Sequence, residues 1–159
     1  MAINSAFEVF DGDLFPHPAM ARNVSANWLA KLFPGRVMVI KPLEDYVKIS
    51  DPQGYPMWAT IKRKDRTIRL SHKIILMAEA VFDENELHRT VGLANKQCRY
   101  NRFLLMKGEE GWFIYVISEI PVRERVSPGE LLERCKSHWF DFQRGLKVLE
   151  GYCRRANVI

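Results

Sequence analysis

The side chains that could do chemistry are few and scattered. Of the four histidines, His17, His72, His88 and His138, only His138 has a metal-type neighbour at helical spacing, Cys135. Two ligands on one helix do not make a site, so no metal is expected. Ser71-His72 sets a hydroxyl beside a base, but neighbours along a strand point to opposite faces and cannot share a proton. Glu109-Glu110 falls in a turn and Asp11 with Asp13 in an irregular segment. Neither pair has the burial that drives carboxyl pKa values apart for acid and base work. The chain has no GxGxxG run and no P-loop. These patterns predict no catalytic residue, no cofactor and no enzyme activity.

Positive charge is the other chemical signal, with a formal net charge of +5. Lys62, Arg63, Lys64, Arg66, Arg69 and Lys73 gather on one expected hairpin, and Lys96, Arg99 and Arg102 crowd the end of an expected helix and the next strand. Such groups neutralise phosphates, and Trp58 or Tyr100 could stack on bases, so a nucleic-acid-associated regulator is one reading. No recognised nucleic-acid motif accompanies them. Basic residues at turns and helix ends also keep sheet edges soluble and complement the helix dipole, which needs no ligand.

The elements that position these residues are legible in turn. In Asp83-Glu84-Asn85-Glu86 an N-cap acceptor is followed three residues later by a carboxylate, which predicts a helix start; Leu87, Val91, Ala94 and Cys98 then line one face. Ser127-Pro128-Gly129-Glu130 repeats the signal with proline at N1, opening the longest helix, whose stripe is Leu131, Cys135, His138 or Trp139, Phe142, Leu146 and Leu149 before a stop at Gly151. Between them Phe103–Met106 and Trp112–Ile117 flank a charged turn with two glycines, a hairpin signal. Neither strand alternates cleanly, so both faces are expected to be covered, one by helices and the other by the same chain or a partner. Phe103, Leu105, Trp112, Ile114 and Val116 are the expected partner-binding residues.

In the first half, Asn23 or Ser25 is expected to cap a short helix ended by Pro34-Gly35. Strands are expected over Val37–Ile40, Tyr46–Ile49, Met57–Ile61 and Thr67–Leu76, divided by turn residues. The order α-β-β-β(-β)-α-β-β-α with short connections predicts an α+β fold, a mainly antiparallel sheet with helices packed on one face. Residues 1–22 are expected to form an arm, 23–153 a single domain and 154–159 a tail. Cys98, Cys135 and Cys153 show no paired spacing, which fits reduced thiols in the cytoplasm. The start of the chain lacks a secretory pattern, and no apolar run nears the ~20 residues that span a bilayer, so no membrane role is expected.

The stretch Phe82-Asp83-Glu84-Asn85-Glu86-Leu87, then Ala94-Asn95-Lys96 through Tyr100-Asn101-Arg102-Phe103, the hairpin, and Val126-Ser127-Pro128-Gly129-Glu130-Leu131-Leu132 resembles the YbjN-like group of proposed bacterial regulators. That group is similar in fold to type III secretion chaperones. The resemblance spans roughly residues 23 to 150 and rests on structural positions. It implies an α+β fold, frequent homodimerisation and a non-enzymatic role in protein binding or regulation, with no catalytic residues to transfer.

Overall fold

A computed structural model describes residues 18–76, 83–109, 111–150 and 157–158. Its helices begin at side-chain caps. Ser25 accepts the Trp28 amide and opens α1 (Ala26–Ala30). Beyond it the chain turns through Gly35 at φ +74°, a left-handed position that glycine takes at little cost. Asp83 accepts the amides of Asn85 and Glu86 at the head of α2 (Glu84–Lys96). The Ser127 hydroxyl accepts the Glu130 amide, and Pro128 takes the first position of α3 (Pro128–Val148).

The strands are β1 (Ala19–Met20), β2 (Val37–Lys41), β3 (Tyr46–Ser50), β4 (Pro56–Lys62), β5 (Thr67–Ile75), β6 (Arg102–Gly108), β7 (Gly111–Pro121), β8 (Arg125–Val126) and β9 (Asn157–Val158). The main sheet is antiparallel with strand order β2-β3-β4-β5-β7-β6, and β9 pairs onto β5. Strands β1 and β8 form a separate two-stranded ladder. The class is α+β, as expected, and all four strands of the first half are present.

Two pairings fall within the expected terminal segments. Near the end of the expected arm, Ala19 and Met20 pair with Val126 and Arg125, and the Ala21 amide donates to the Glu124 carbonyl. In the expected tail, Asn157–Val158 pairs with Ile75 and Ile74. Residues 1–17, the Gly151 helix stop, Cys153 and the Arg154-Arg155-Ala156 run lie outside the described residues.

The chain divides into two compact units, residues 1–70 with 119–136 and residues 71–118 with 137–159. In the first, α1 packs on β2, β3 and β4. Its core is Leu29, Leu32 and Phe33 with Val47, Ile49, Met57, Ile68 and Leu70, drawn from alternate strand positions. In the second, Leu87, Val91 and Ala94 of α2 meet Phe103, Ile114, Val116, Phe142 and Leu149. Among the described residues no helix is long and apolar enough to cross a membrane.

Candidate binding surfaces

The register of the β6–β7 hairpin decides which of its side chains are available. Phe103 pairs with Val116 and Leu105 with Ile114, whereas Leu104 pairs with Tyr115 and Met106 with Phe113. Directly opposed residues share a face, so the first set lies on one side and the second on the other. Phe103, Ile114 and Val116 are buried in the core of their own unit, and Leu105 and Trp112 pack against that core. The five residues expected to meet a partner are thus the inward set, and the fully buried three are closed to one. The reason is α3: Gly145 has no side chain, and the ring of Phe103 occupies that space.

The outward set remains half covered. Leu104 is 38% and Met106 43% exposed, and Phe113 and Tyr115 beside them are half-buried in an edge-to-face pair. Lys73 of β5 lies 4.7 Å from the Phe113 ring centre and 5.8 Å from that of Tyr115, within cation–π range. Exposed Arg102 shares this face, whereas Lys107 pairs with Trp112 on the inward side and lies 5.3 Å from the centre of its ring. This face therefore combines flexible apolar side chains, two aromatic rings and a cationic rim.

The expected basic residues separate into two groups. Lys96, Arg99 and Arg102 belong to the second unit and are exposed, with Arg99 over the Tyr100 ring at 5.4 Å. In the first unit Arg69 is tied to Glu119 at 2.6 Å. Arg63 grips both oxygens of Asp45 at 2.8 Å and also donates to the Val24 carbonyl. The Asp45 hydrogen bond holds the Arg63 guanidinium even more firmly protonated than usual. Lys64 lies exposed in the turn, and Trp58 sits beneath Lys48. Lys62, Arg63 and Arg66 line a cleft of about 630 Å³ together with Arg22, Arg123, Glu124 and the apolar side chains of Val24, Ile61 and Val122. Sequence clustering finds the first three; Arg22 and Arg123 arrive through the β1–β8 ladder and carry no local signal.

The sequence patterns also pass over a buried polar chain in the second unit. Ser118 Oγ lies 2.8 Å from His138 Nδ1, and His138 Nε2 lies 3.0 Å from His72 Nδ1. The His72 ring stacks on Phe142 at 3.8 Å. All three polar residues are buried. Burial, then the neighbouring His72, holds His138 well below the ordinary histidine range, so it is neutral at pH 7. A hydroxyl beside an imidazole resembles an activated nucleophile, but Ser118 is only 4% exposed, which keeps a substrate from reaching it. The physical effect of this polar chain is to satisfy polar atoms within an apolar interior.

Nearby, buried Asp141 of α3 uses Oδ2 to accept the amides of Arg99, Tyr100 and Asn101 at 2.9, 2.6 and 3.1 Å. It thereby fixes the connection from α2 to β6. Asn95 completes the join, donating to the Phe103 carbonyl and accepting its amide. Cys135 and His138 are both buried, and burial pushes the Cys135 thiol up to about 12, an unreactive state. Among the described residues no three His, Cys, Asp or Glu side chains group as metal ligands.

No protein-family model matches the chain. No curated protein matches it either. Among solved structures it is similar to the crystal structure of YbjN, a proposed transcription regulator from E. coli, at 14% identity over 72% of this chain and 81% of that one, with a TM-score of 0.54. At that identity the match speaks for architecture, and the chain has the α+β fold of YbjN.

Proposed function

We propose that this protein is a non-enzymatic regulatory module that binds a protein segment on the outward face of the β6–β7 hairpin. The observation that carries the reading is the exposure of Leu104 and Met106 beside the Phe113–Tyr115 pair. Unbranched methionine adapts to varied partners, and aromatic rings supply contact area at small entropic cost. Lys73 and Arg102 beside the apolar strip select a segment that carries both apolar and acidic side chains. A second copy seated face to face would oppose these cations to their own counterparts, so the occupant proposed is a different, acidic protein.

The test is selection of displayed peptides on the full chain, followed by calorimetry of the best binder against wild type and Leu104→Glu/Met106→Glu. Selected peptides should alternate apolar and acidic residues, and the double variant should weaken binding by at least about tenfold with little change in melting temperature, because both positions are exposed. Equal binding by the variant, or a concentration-dependent homodimer that the variant dissolves, would overturn the assignment of face or occupant.

A further inference from the structure

The cleft of the first unit does not take part in the protein-binding reading. Three chain segments frame it, and backbone bonds fix them in place. The Ala21 amide donates to the Glu124 carbonyl, the Val122 amide donates to the Arg66 carbonyl, and Arg63 reaches the Val24 carbonyl while held by Asp45. The cavity is therefore preformed. Its volume of about 630 Å³ is in the range of small-molecule sites.

Its charge is one-sided. Arg63 is neutralised by Asp45, but among the described residues Arg22, Lys62, Arg66 and Arg123 form no ion pair, and Glu124 is the single carboxylate in the lining. Thr67, which also lines the cleft, has a buried hydroxyl with no hydrogen-bond partner among the described residues. Among the described residues no aromatic side chain lines the walls, so a nucleobase would find no ring to stack on.

Arg66 adds an independent observation. Its φ is +52°, a left-handed conformation that glycine or asparagine adopts at lower cost. Its amide donates to the Arg63 carbonyl and its own carbonyl accepts from Val122, so the backbone is held in that state. The chain carries a strained arginine where a glycine would make a better turn, and strain of this kind collects at ligand sites.

From these features we infer that the cleft binds a small phosphorylated compound, its phosphate held by Arg22, Arg66 and Arg123 and its carbon body resting on Ile61 and Val122. Guanidinium groups match phosphate oxygens in paired hydrogen bonds, and the apolar wall suits an aliphatic remainder.

The full chain is titrated calorimetrically at low salt with inorganic pyrophosphate and with butyl phosphate. Both should bind, butyl phosphate with the more negative heat-capacity change, and both should weaken as salt rises. Arg66→Gly should weaken binding by at least about tenfold while holding or raising the melting temperature, a combination that a structural role does not give. Arg123→Ala should weaken binding similarly, and Lys96→Glu in the other unit should leave it unchanged. Absence of binding at millimolar probe would overturn the inference. So would an equal loss in Lys96→Glu, which marks general charge attraction, or duplex DNA binding that needs Arg66 and that pyrophosphate fails to compete.

Discussion

Replacing Gly145 with alanine would put a methyl group where the ring of Phe103 now lies. A Cβ at this position would come within 2.8 Å of the ring's Cε1 and closer still to Cζ and Cε2. The ring has little room to yield. It is 2% exposed within the core cluster, and Asn95 pins the Phe103 backbone through both its amide and its carbonyl. Two effects oppose each other. Alanine in a helix interior is favoured over glycine by about 1 kcal/mol. Forcing an extra methyl into a filled core costs about 1–3 kcal/mol, and overlap with three ring atoms points to the upper end. The net expectation is a loss of about 2 kcal/mol, or about 4–8 °C in melting temperature for a chain of this size. Urea denaturation of four proteins measures it: wild type, Gly145→Ala, Phe103→Leu and the double variant. Phe103→Leu alone should cost about 1–2 kcal/mol for the atoms removed. The double variant should be clearly more stable than the sum of the two losses, with a coupling of about 1–2 kcal/mol. A Gly145→Ala protein as stable as wild type, or strict additivity, would refute the claim that this glycine decides which face of the hairpin turns inward.

The buried histidine chain predicts a pH response with a definite sign. Folding keeps His138 neutral whereas the unfolded chain protonates it near pH 6.5, so stability is complete above that value and falls as pH drops below it. The slope should be about 1.4 kcal/mol per pH unit for this one group, read from urea midpoints between pH 7 and 5, and His138→Gln should flatten it; a flat wild-type profile would contradict the burial argument. Asp141→Ala strands three amides at the start of β6 and should cost about 3–5 kcal/mol, while Asp141→Asn keeps an acceptor and should cost about 1–3 kcal/mol. Equal losses for the two variants, measured by denaturation, would show that acceptor geometry is not what matters there.

Much of the fold was legible because its signals are local. Ser25, Asp83 and Ser127 announce their helices through side-chain oxygens within three residues of the amides they meet. Strands β3, β4 and β5 alternate buried and half-buried positions as their β-branched runs suggest. The hairpin faces were not legible. Phe103-Leu104-Leu105-Met106 is apolar throughout, so period-two reasoning cannot rank its sides, and the choice is made by Gly145 far along the chain. The histidine chain joins residues 66 apart, and Asp141 reaches amides at least 40 positions away. The basic hairpin was visible as charge, but its conversion into a cleft depends on Arg22 and Arg123, carried in by a two-residue ladder. Proximity of that kind leaves no mark in spacing or composition.

The outward hairpin face as a protein-binding surface is the central claim, and methionine methyl resonances report on it directly. In the full chain labelled at its methionine methyl groups, titration with the selected apolar and acidic peptide should shift and broaden Met106, which is exposed on that face. The signals of Met57, which is fully buried, and of Met38, which is exposed on strand β2, should stay in place. A peptide that moves Met38 while leaving Met106 unchanged would place the binding surface elsewhere and contradict the account.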